Sequence, residues 1–335
     1  LADRPHGARR DGRDRDMSSA LPLVVESVRA VARDVLQLVL RHAEHRPLPG
    51  AAPGAHIDLM LPAGPTRQYS LVNAAGAANQ DCYEIAVGWD MRSRGGSRWI
   101  HEQLKVGQAV GASAPRNLFA MRPQDRRVLL VAGGIGITPI VAMARHCARQ
   151  GLDWELLACA RSAARLAYLE ELRELAGARL RLHLDDEQDG PPQLDALLRE
   201  PRWDGVYACG PAPMLDALQA ATRHWPAGRL HMERFAAVAP PAADETRSSF
   251  ELVLARSGCN TRVGADESVL AALERLGIEH PSACREGLCG TCEVAVLDGE
   301  VRHLDSVLDA ADPASRQRMM ACVSRCAGPR LVLDL

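Results

Sequence analysis

Three thiols fall within nine residues near the C-terminal end of the chain. Cys284, Cys289 and Cys292 follow the spacing C-x4-C-x2-C in the stretch CREGLCGTC, and Cys322 lies thirty positions further on. This is the spacing of plant-type 2Fe-2S sites, in which four thiolates hold two irons. We therefore predict that these four cysteines hold a 2Fe-2S cluster.

The composition of the loop suits the negative charge of such a cluster. Two ferric ions, two sulfides and four thiolates sum to −2, and Gly287 and Gly290 let backbone N–H groups turn toward the sulfurs. Zinc is the alternative, but zinc fingers prefer two C-x2-C pairs and Cys322 stands outside such a pair. Cys326 has no counterpart in the pattern and is predicted to be a spare thiol.

A glycine-rich turn follows the apolar run Val128–Ala132 and precedes a helical pattern. Glycines allow the backbone to approach a pyrophosphate, and a helix N-terminus favours its charge. The turn departs from the dinucleotide-binding GxGxxG because Pro139 takes the place of the third glycine, which suits the first turn of a helix. The nucleotide-binding residues predicted here are Gly133, Gly134, Gly136 and Thr138.

Two further stretches carry residue types that suit a flavin. The first is a strand-like stretch with Arg67, Tyr69 and Ser70. The arginine can donate paired hydrogen bonds to a phosphate, the tyrosine offers a flat aromatic face and the serine a hydroxyl. An ordinary strand with an exposed arginine would have the same sequence pattern and is the alternative. Gly95, Gly96 and Ser97 run into a helix and form a candidate anion site; a flexible turn with a capping serine is the alternative.

Composition narrows the class of protein. The chain has 335 residues, 47% of them hydrophobic and 24% charged, which is typical of globular proteins. No apolar run approaches a membrane span. A net charge of −2 and 4% aromatic residues argue against nucleic-acid binding. Ten cysteines without an export signal indicate a reducing cytoplasm and metal ligation rather than disulfides.

The hydrophobic pattern changes twice along the chain. Short strands separated by turns predict an antiparallel β-barrel over residues 17–122, and strands alternating with helices predict an α/β domain with a parallel sheet over 123–235. Residues 236–249 have the composition of a linker, and 1–16 are predicted to be a disordered extension. The remainder, 250–335, is predicted to be a small α+β domain. Within it, Glu293–Val296 and Val301–His303 are predicted to pair as a hairpin across Asp298 and Gly299.

The motifs PSACREGLCGTC and MMACVSRC make residues 250–335 resemble plant-type ferredoxins of β-grasp fold. The preceding residues resemble the ferredoxin–NADP reductase superfamily. The order of flavin barrel, nicotinamide domain and ferredoxin resembles the phthalate dioxygenase reductase family, which includes the reductase components of vanillate demethylase. This resemblance covers residues 20–335.

The resemblance implies roles for individual residues. Arg67 would bind the flavin phosphate, Tyr69 would cover the ring and Ser70 would hydrogen-bond its N5. The flavin would be FMN, with FAD as the alternative. Cys209, Gly210 and Pro211 follow a predicted strand and would lie at the nicotinamide and the pyrophosphate, although an inert buried cysteine is the alternative. Phe235, or its acidic neighbour, would reach back to the flavin; a residue that only closes the core of the domain is the alternative. The nucleotide would be NADH, with NADPH possible because Arg161 and Arg165 follow the second strand.

Together these groups convert a hydride into single electrons, with Ser70 and Cys209 as the catalytic candidates. The expected acceptor is a separate Rieske-type oxygenase. Residues 248–335 carry thirteen acidic side chains against nine arginines, a formal charge of −4 that would steer the ferredoxin domain toward a basic partner surface. We expect a monomer. A stand-alone reductase for a quinone or cytochrome P450, and a redox-sensing module, are the alternatives.

Overall fold

The computed structural model describes residues 20–61, 66–90, 95–236, 248–308 and 312–335. The predicted extension 1–16 and most of the predicted linker lie outside these ranges. Within them the chain builds three main sheets, one after another along the sequence. The domain boundaries themselves stay a prediction.

The first sheet is antiparallel, with strands in the order β5-β4-β8-β1-β2-β7. An isolated bridge joins Leu71, just after β5, to Ile85 of β7, so the two edge strands meet there. Its elements are β1 (Leu21–Ala32), β2 (Val35–His42), β3 (Leu48–Pro49), β4 (His56–Met60), β5 (Arg67–Ser70), β6 (Asn79–Gln80), β7 (Cys82–Gly88), α1 (Gly96–Gln103) and β8 (Ala109–Ala112), of which β3 and β6 form a separate pair.

The second sheet is parallel throughout, in the order β11-β10-β9-β12-β13. Strand and helix alternate because continuous apolar runs are buried on both faces between amphipathic helices. The elements are β9 (Arg127–Gly133), α2 (Ile137–Gln150), β10 (Asp153–Ala160), α3 (Leu169–Ala176), β11 (Leu180–Leu184), α4 (Leu194–Leu198), β12 (Gly205–Cys209), α5 (Ala212–Ala221) and β13 (Leu230–Glu233).

The third sheet has the order β15-β14-β20-β16-β18 and is mixed, since β14 and β20 run parallel. The elements are β14 (Phe250–Leu254), β15 (Cys259–Val263), α6 (Val269–Arg275), β16 (Glu293–Asp298), β17 (Val301–Arg302), β18 (Arg318–Met320), β19 (Arg325–Cys326) and β20 (Arg330–Leu333). The predicted hairpin is wrong: β17 pairs with β19, while β16 pairs with β18 and β20. Beyond Gly299, whose φ is +104°, the chain leaves the main sheet and builds a separate two-stranded pair.

The first two sheets share a core, whereas the third has its own. Val72 and Ala86 of the first unit pack in one cluster with residues of β9 and α2. Arg145 of α2 reinforces this contact, because its Nη1 donates to the backbone carbonyl of Val72 at 2.6 Å while its Nε pairs with Glu171. The third core contains only residues beyond 249, including Phe250, Leu270 and Leu331. The third unit therefore packs as a separate body against the first two.

Candidate functional site

A single cavity of about 1150 Å³ is lined by residues of all three units. Its walls include most of the residues that the sequence predicts for flavin and nucleotide binding, together with one predicted cluster cysteine. Those that line it are Arg67, Tyr69, Ser70, Ser97, Gly133, Gly134, Thr138, Pro211, Phe235 and Cys284. The predicted residues that do not are Gly95, Gly96, Gly136, Cys209, Gly210, Cys289, Cys292 and Cys322.

Strands β4 and β5 shape the end of the cavity where the sequence predicts a flavin. Ser70 is buried, and its Oγ has no hydrogen-bond partner among the described residues. Burial raises the pKa of Tyr69, so its phenol stays neutral. At the start of α1, Ser97 Oγ also lacks a partner within the ranges the structure covers. A Cβ on Gly96 would lie 2.6 Å from Cγ of Arg67, so this glycine leaves room for the arginine that would bind phosphate.

The glycine turn after β9 forms the nucleotide end. Gly134 has a φ of +55°, and Thr138 Oγ1 caps the turn by donating to the carbonyl of Ile135 at 3.1 Å. Gly136 lies against β12, because a Cβ placed on it would be 2.2 Å from the carbonyl oxygen of Cys209. The two loops that the sequence linked to the nucleotide are therefore in direct contact.

Cys209 itself is fully buried behind this turn. Its side chain belongs to the core that the first two sheets share, and burial, followed by Glu233, raises the pKa of its thiol. The thiol is not among the groups that line the cavity. A role beside the nicotinamide stays a prediction.

Glu233, the last residue of β13, lines the cavity; the residue is half-buried, and Oε2 of its carboxyl is fully buried. Its Oε2 has no hydrogen-bond partner in the described part of the chain. Burial raises the pKa of this carboxyl from its usual 4.5 to about 8, so it holds a proton at neutral pH. A protonated carboxyl in this cavity can donate a hydrogen bond to a ligand.

The raised pKa of Glu233 predicts how the free energy of unfolding of the flavin-free protein depends on pH. Below pH 4.5 it is protonated in both the folded and the unfolded chain. Between pH 4.5 and 8 only the unfolded chain loses the proton, so the folded state loses stability as the pH rises, by roughly 3–5 kcal/mol at most. We expect Glu233→Gln to raise the free energy of unfolding at pH 8 and to leave it nearly unchanged at pH 4. Urea denaturation at both values checks this; an equal pH dependence in both proteins would contradict it.

Two cavity residues were not singled out from the sequence. His56 of β4 is buried with its Nε2 unpartnered within the described ranges. Trp89, which follows β7, lines the cavity and meets the ring of His101 edge-on, with ring centroids 5.3 Å apart. The sequence showed no aromatic suited to stacking an adenine, and only the fold brings Trp89 to the cavity.

The four predicted cluster cysteines lie in two pairs. Cys284 lies beside Cys289, and Cys322 lies beside Cys292. Interaction with Cys284 lowers the pKa of the Cys289 thiol, and interaction with Cys322 lowers the pKa of the Cys292 thiol. Among the residues the structure describes, no three His, Cys, Asp or Glu side chains group closely enough for one metal ion. Two dithiol pairs fit two irons better than a single zinc ion.

The loop geometry also fits a bound anionic group. Backbone N–H groups already point at sulfur, with Glu286 N donating to Cys284 Sγ at 3.3 Å and Cys284 N to Cys289 Sγ at 3.5 Å. Gly287 and Gly290 both have a φ of +70°. A Cβ on Gly287 would lie 2.9 Å from Cα of Asp305, so the loop packs closely on the chain behind it.

Asp305 stabilises the segment 305–308, on which the cysteine loop packs. Its fully buried carboxylate accepts hydrogen bonds from Ser324 Oγ at 2.7 Å and from the backbone N–H groups of Val307 and Leu308. Cys326 lies apart from the four paired thiols, and its Sγ donates to the carbonyl of Arg330 at 3.2 Å. Its position is consistent with the predicted spare thiol.

The cluster loop borders the cavity directly. Cys284, Glu286 and Leu288 contribute to its wall, and Gly290 lies close to Leu118 of the first unit. A group held by these cysteines would therefore sit next to one held by β5.

Of the helices that the structure describes, none is long and apolar enough to cross a membrane.

Comparison with known proteins supports this assembly. The profile of the 2Fe-2S iron-sulfur cluster binding domain matches residues 252–327, and that of the oxidoreductase NAD-binding domain matches 130–220. The chain is 62% identical over 319 residues to the toluene-4-sulfonate monooxygenase system reductase subunit of Comamonas testosteroni, covering 95% of this chain and 100% of that one. It is 40% identical over 320 residues to the vanillate O-demethylase oxidoreductase of a Pseudomonas species, covering 94% and 100%. The crystal structure of phthalate dioxygenase reductase aligns with a TM-score of 0.69 at 34% identity, covering 95% of this chain and 98% of that one.

Proposed function

The chain belongs to the phthalate dioxygenase reductase family, and from this premise we propose that it is the reductase component of a Rieske-type aromatic oxygenase or demethylase. It is an NADH-dependent iron–sulfur flavoprotein oxidoreductase. The observation that carries the proposal is the cavity in which flavin-type residues, the nucleotide turn and Cys284 meet. A bound flavin can accept two electrons as hydride and release them singly, and a 2Fe-2S cluster carries one at a time.

The residues of the chain have distinct parts in this scheme. Arg67 and Ser97 bind the flavin phosphate, Tyr69 covers a face of the ring and Ser70 orients it. The turn at Gly133–Gly136 binds the pyrophosphate of NADH, and Phe235 closes the cavity at the end of the second unit. Glu233 keeps a proton at its carboxyl inside the cavity. Cys284, Cys289, Cys292 and Cys322 hold the cluster. In this scheme the first unit is a flavin barrel, supported by the bridge between its edge strands, and the third is a β-grasp domain.

We propose FMN rather than FAD. Arg67, Gly96 and Ser97 form a compact phosphate site that would end a mononucleotide. Trp89 offers a surface on which the adenine of FAD could stack, so the choice needs a direct measurement. We expect denatured protein to release one FMN per chain on chromatography. Recovery of FAD would overturn this assignment and leave the electron-transfer function intact.

We propose NADH as the nucleotide. Arg165 lines the cavity, but its Nη1 pairs with Asp34 Oδ2 at 2.6 Å, which satisfies part of its capacity to bind a 2′-phosphate. Arg161 also lines the cavity and is exposed to solvent. Comparing the rates of anaerobic flavin bleaching by NADH and by NADPH tests the choice.

The function is tested by supplying a one-electron acceptor. We expect NADH to reduce two molecules of cytochrome c for each nucleotide oxidised, continuously and through the cluster. A redox sensor would stop after its own centres are reduced. For the oxygenase partner, the test is substrate turnover with the purified Rieske component, and its rate should fall with salt because the third unit is acidic. Transfer to a quinone or a cytochrome P450, but not to that component, would favour the stand-alone reductase.

A further inference from the structure

His56 and Ser70 face the cavity from neighbouring strands. The two residues are direct partners in the antiparallel register of β4 and β5, so their side chains project from the same side of the sheet. His56 is 5% exposed and Ser70 4%, and both line the cavity. Neither His56 Nε2 nor Ser70 Oγ has a hydrogen-bond partner among the described residues. Buried polar atoms are nearly always hydrogen-bonded in native proteins, so this pair points to a ligand.

The residue that carries the unpartnered nitrogen lines the cavity. His42, on β2 of the same sheet, is equally buried but does not line the cavity. Its Nδ1 accepts a hydrogen bond from the backbone N–H of Glu44 at 3.0 Å. One nitrogen of the buried His42 ring is thus hydrogen-bonded near the sheet, whereas the buried Nε2 of His56 has no partner among the described residues.

The chemistry of His56 selects the part of the ligand that it contacts. Burial, followed by the nearby Arg116 guanidinium, lowers the pKa of His56 to about 4, so the ring is neutral at pH 7. A neutral imidazole is poorly suited to a phosphate dianion, for which the cavity already offers Arg67. It can donate or accept a hydrogen bond according to its tautomer. The polar edge of an isoalloxazine ring presents both acceptors and a donor.

We propose that His56 is a further flavin-binding residue, and that its Nε2 hydrogen-bonds the polar edge of the ring beside Ser70. The inference rests on the flavin assigned to this cavity under the proposed function. Together, His56 and Ser70 place one hydrogen-bonding group on each of two adjacent strands. Two such contacts fix the direction in which the polar edge of the ring lies as well as its position.

The test is flavin binding by the full-length protein after its flavin has been removed. We expect His56→Leu to raise the dissociation constant of FMN about tenfold, as the loss of one buried hydrogen bond should, and to shift the visible flavin band. His56→Gln retains a hydrogen-bonding group and should stay within about threefold of the wild type. His42→Leu is the matched control, because it removes an equally buried imidazole outside the cavity and should leave flavin affinity unchanged.

Unchanged affinity and spectrum in His56→Leu would overturn the inference, as would an equal loss in His42→Leu. If His56→Leu does not fold, isotopically labelled histidine in the wild-type chain decides the question. The Nε2 resonance that disappears in His56→Gln should shift when FMN is added, and a stationary resonance contradicts the contact. A wild-type protein that binds no flavin refutes the proposed function itself, whatever the variants do.

Discussion

Cys322→Ser should abolish or grossly destabilise the 2Fe-2S centre and stop electron transfer to one-electron acceptors. Cys322 lies beside Cys292 in the second dithiol pair, and it is the one proposed cluster ligand outside the loop. Without it the second iron of the proposed cluster would lose a ligand that the core of the third unit holds in place. NADH should still reduce the flavin, since that chemistry uses the first two units. Iron and sulfide content, the visible spectrum and cytochrome c reduction measure the effect.

Cys326→Ser is the matched control, four residues away. Its sulfur is buried to a similar degree but bonds the carbonyl of Arg330, which a serine hydroxyl can also do. This variant should keep its iron, sulfide and cytochrome c reduction. The assignment of the fourth ligand is wrong if Cys326→Ser loses the cluster and Cys322→Ser retains it.

Gly136→Ala should be among the most damaging single-methyl additions in the second unit. Gly136 has a φ of −62°, which any residue adopts, so backbone strain plays no part. The added Cβ would lie 2.2 Å from the carbonyl oxygen of Cys209 and 2.8 Å from the backbone N of Gly210. Since both neighbours are backbone, relief requires that the turn and β12 move apart. We expect a loss of about 3 kcal/mol or more in the free energy of unfolding, together with impaired flavin reduction by NADH.

Gly134→Asn provides the comparison within the same turn. Gly134 has a φ of +55°, which asparagine tolerates, and no atom lies within 4 Å of the Cβ it would gain. We expect Gly134→Asn to lower the free energy of unfolding by about 1 kcal/mol. Urea denaturation of both variants separates the effects, and equal losses would show that the contact with Cys209 is unimportant.

Local sequence predicted the parts of this site that depend on short-range chemistry. The cysteine spacing, the glycine turn after β9 and the Arg67–Ser70 strand each combine residue types that a cofactor requires with the backbone freedom needed to present them. The parallel sheet could be predicted as well, because buried strands alternate with amphipathic helices. Apart from Cys322, which follows Cys292 by thirty positions, each of these site motifs lies within about fifteen consecutive residues.

The remaining features depend on contacts between distant residues. A histidine in an apolar strand reveals nothing until pairing with β5 places it beside Ser70. Glu233 becomes a proton-holding group only because the fold removes it from water. The hairpin prediction failed for the same reason: the chain does bend at Gly299, just after β16, but competition from β19 decides where Val301 pairs. Turn chemistry fixes the bend, and the rest of the sheet fixes the partner.

The cavity has walls from three units, of which the third has a core of its own. A cofactor that fills such a space contacts two bodies with separate cores, one shared by the first two units and one in the third. Its binding free energy then favours the arrangement in which all three are folded and docked. The flavin would thus stabilise the docked arrangement of the units as well as carry electrons. Thermal unfolding of the loaded protein should accordingly be more cooperative than that of the empty one, in which the third unit is free to unfold separately from the first two.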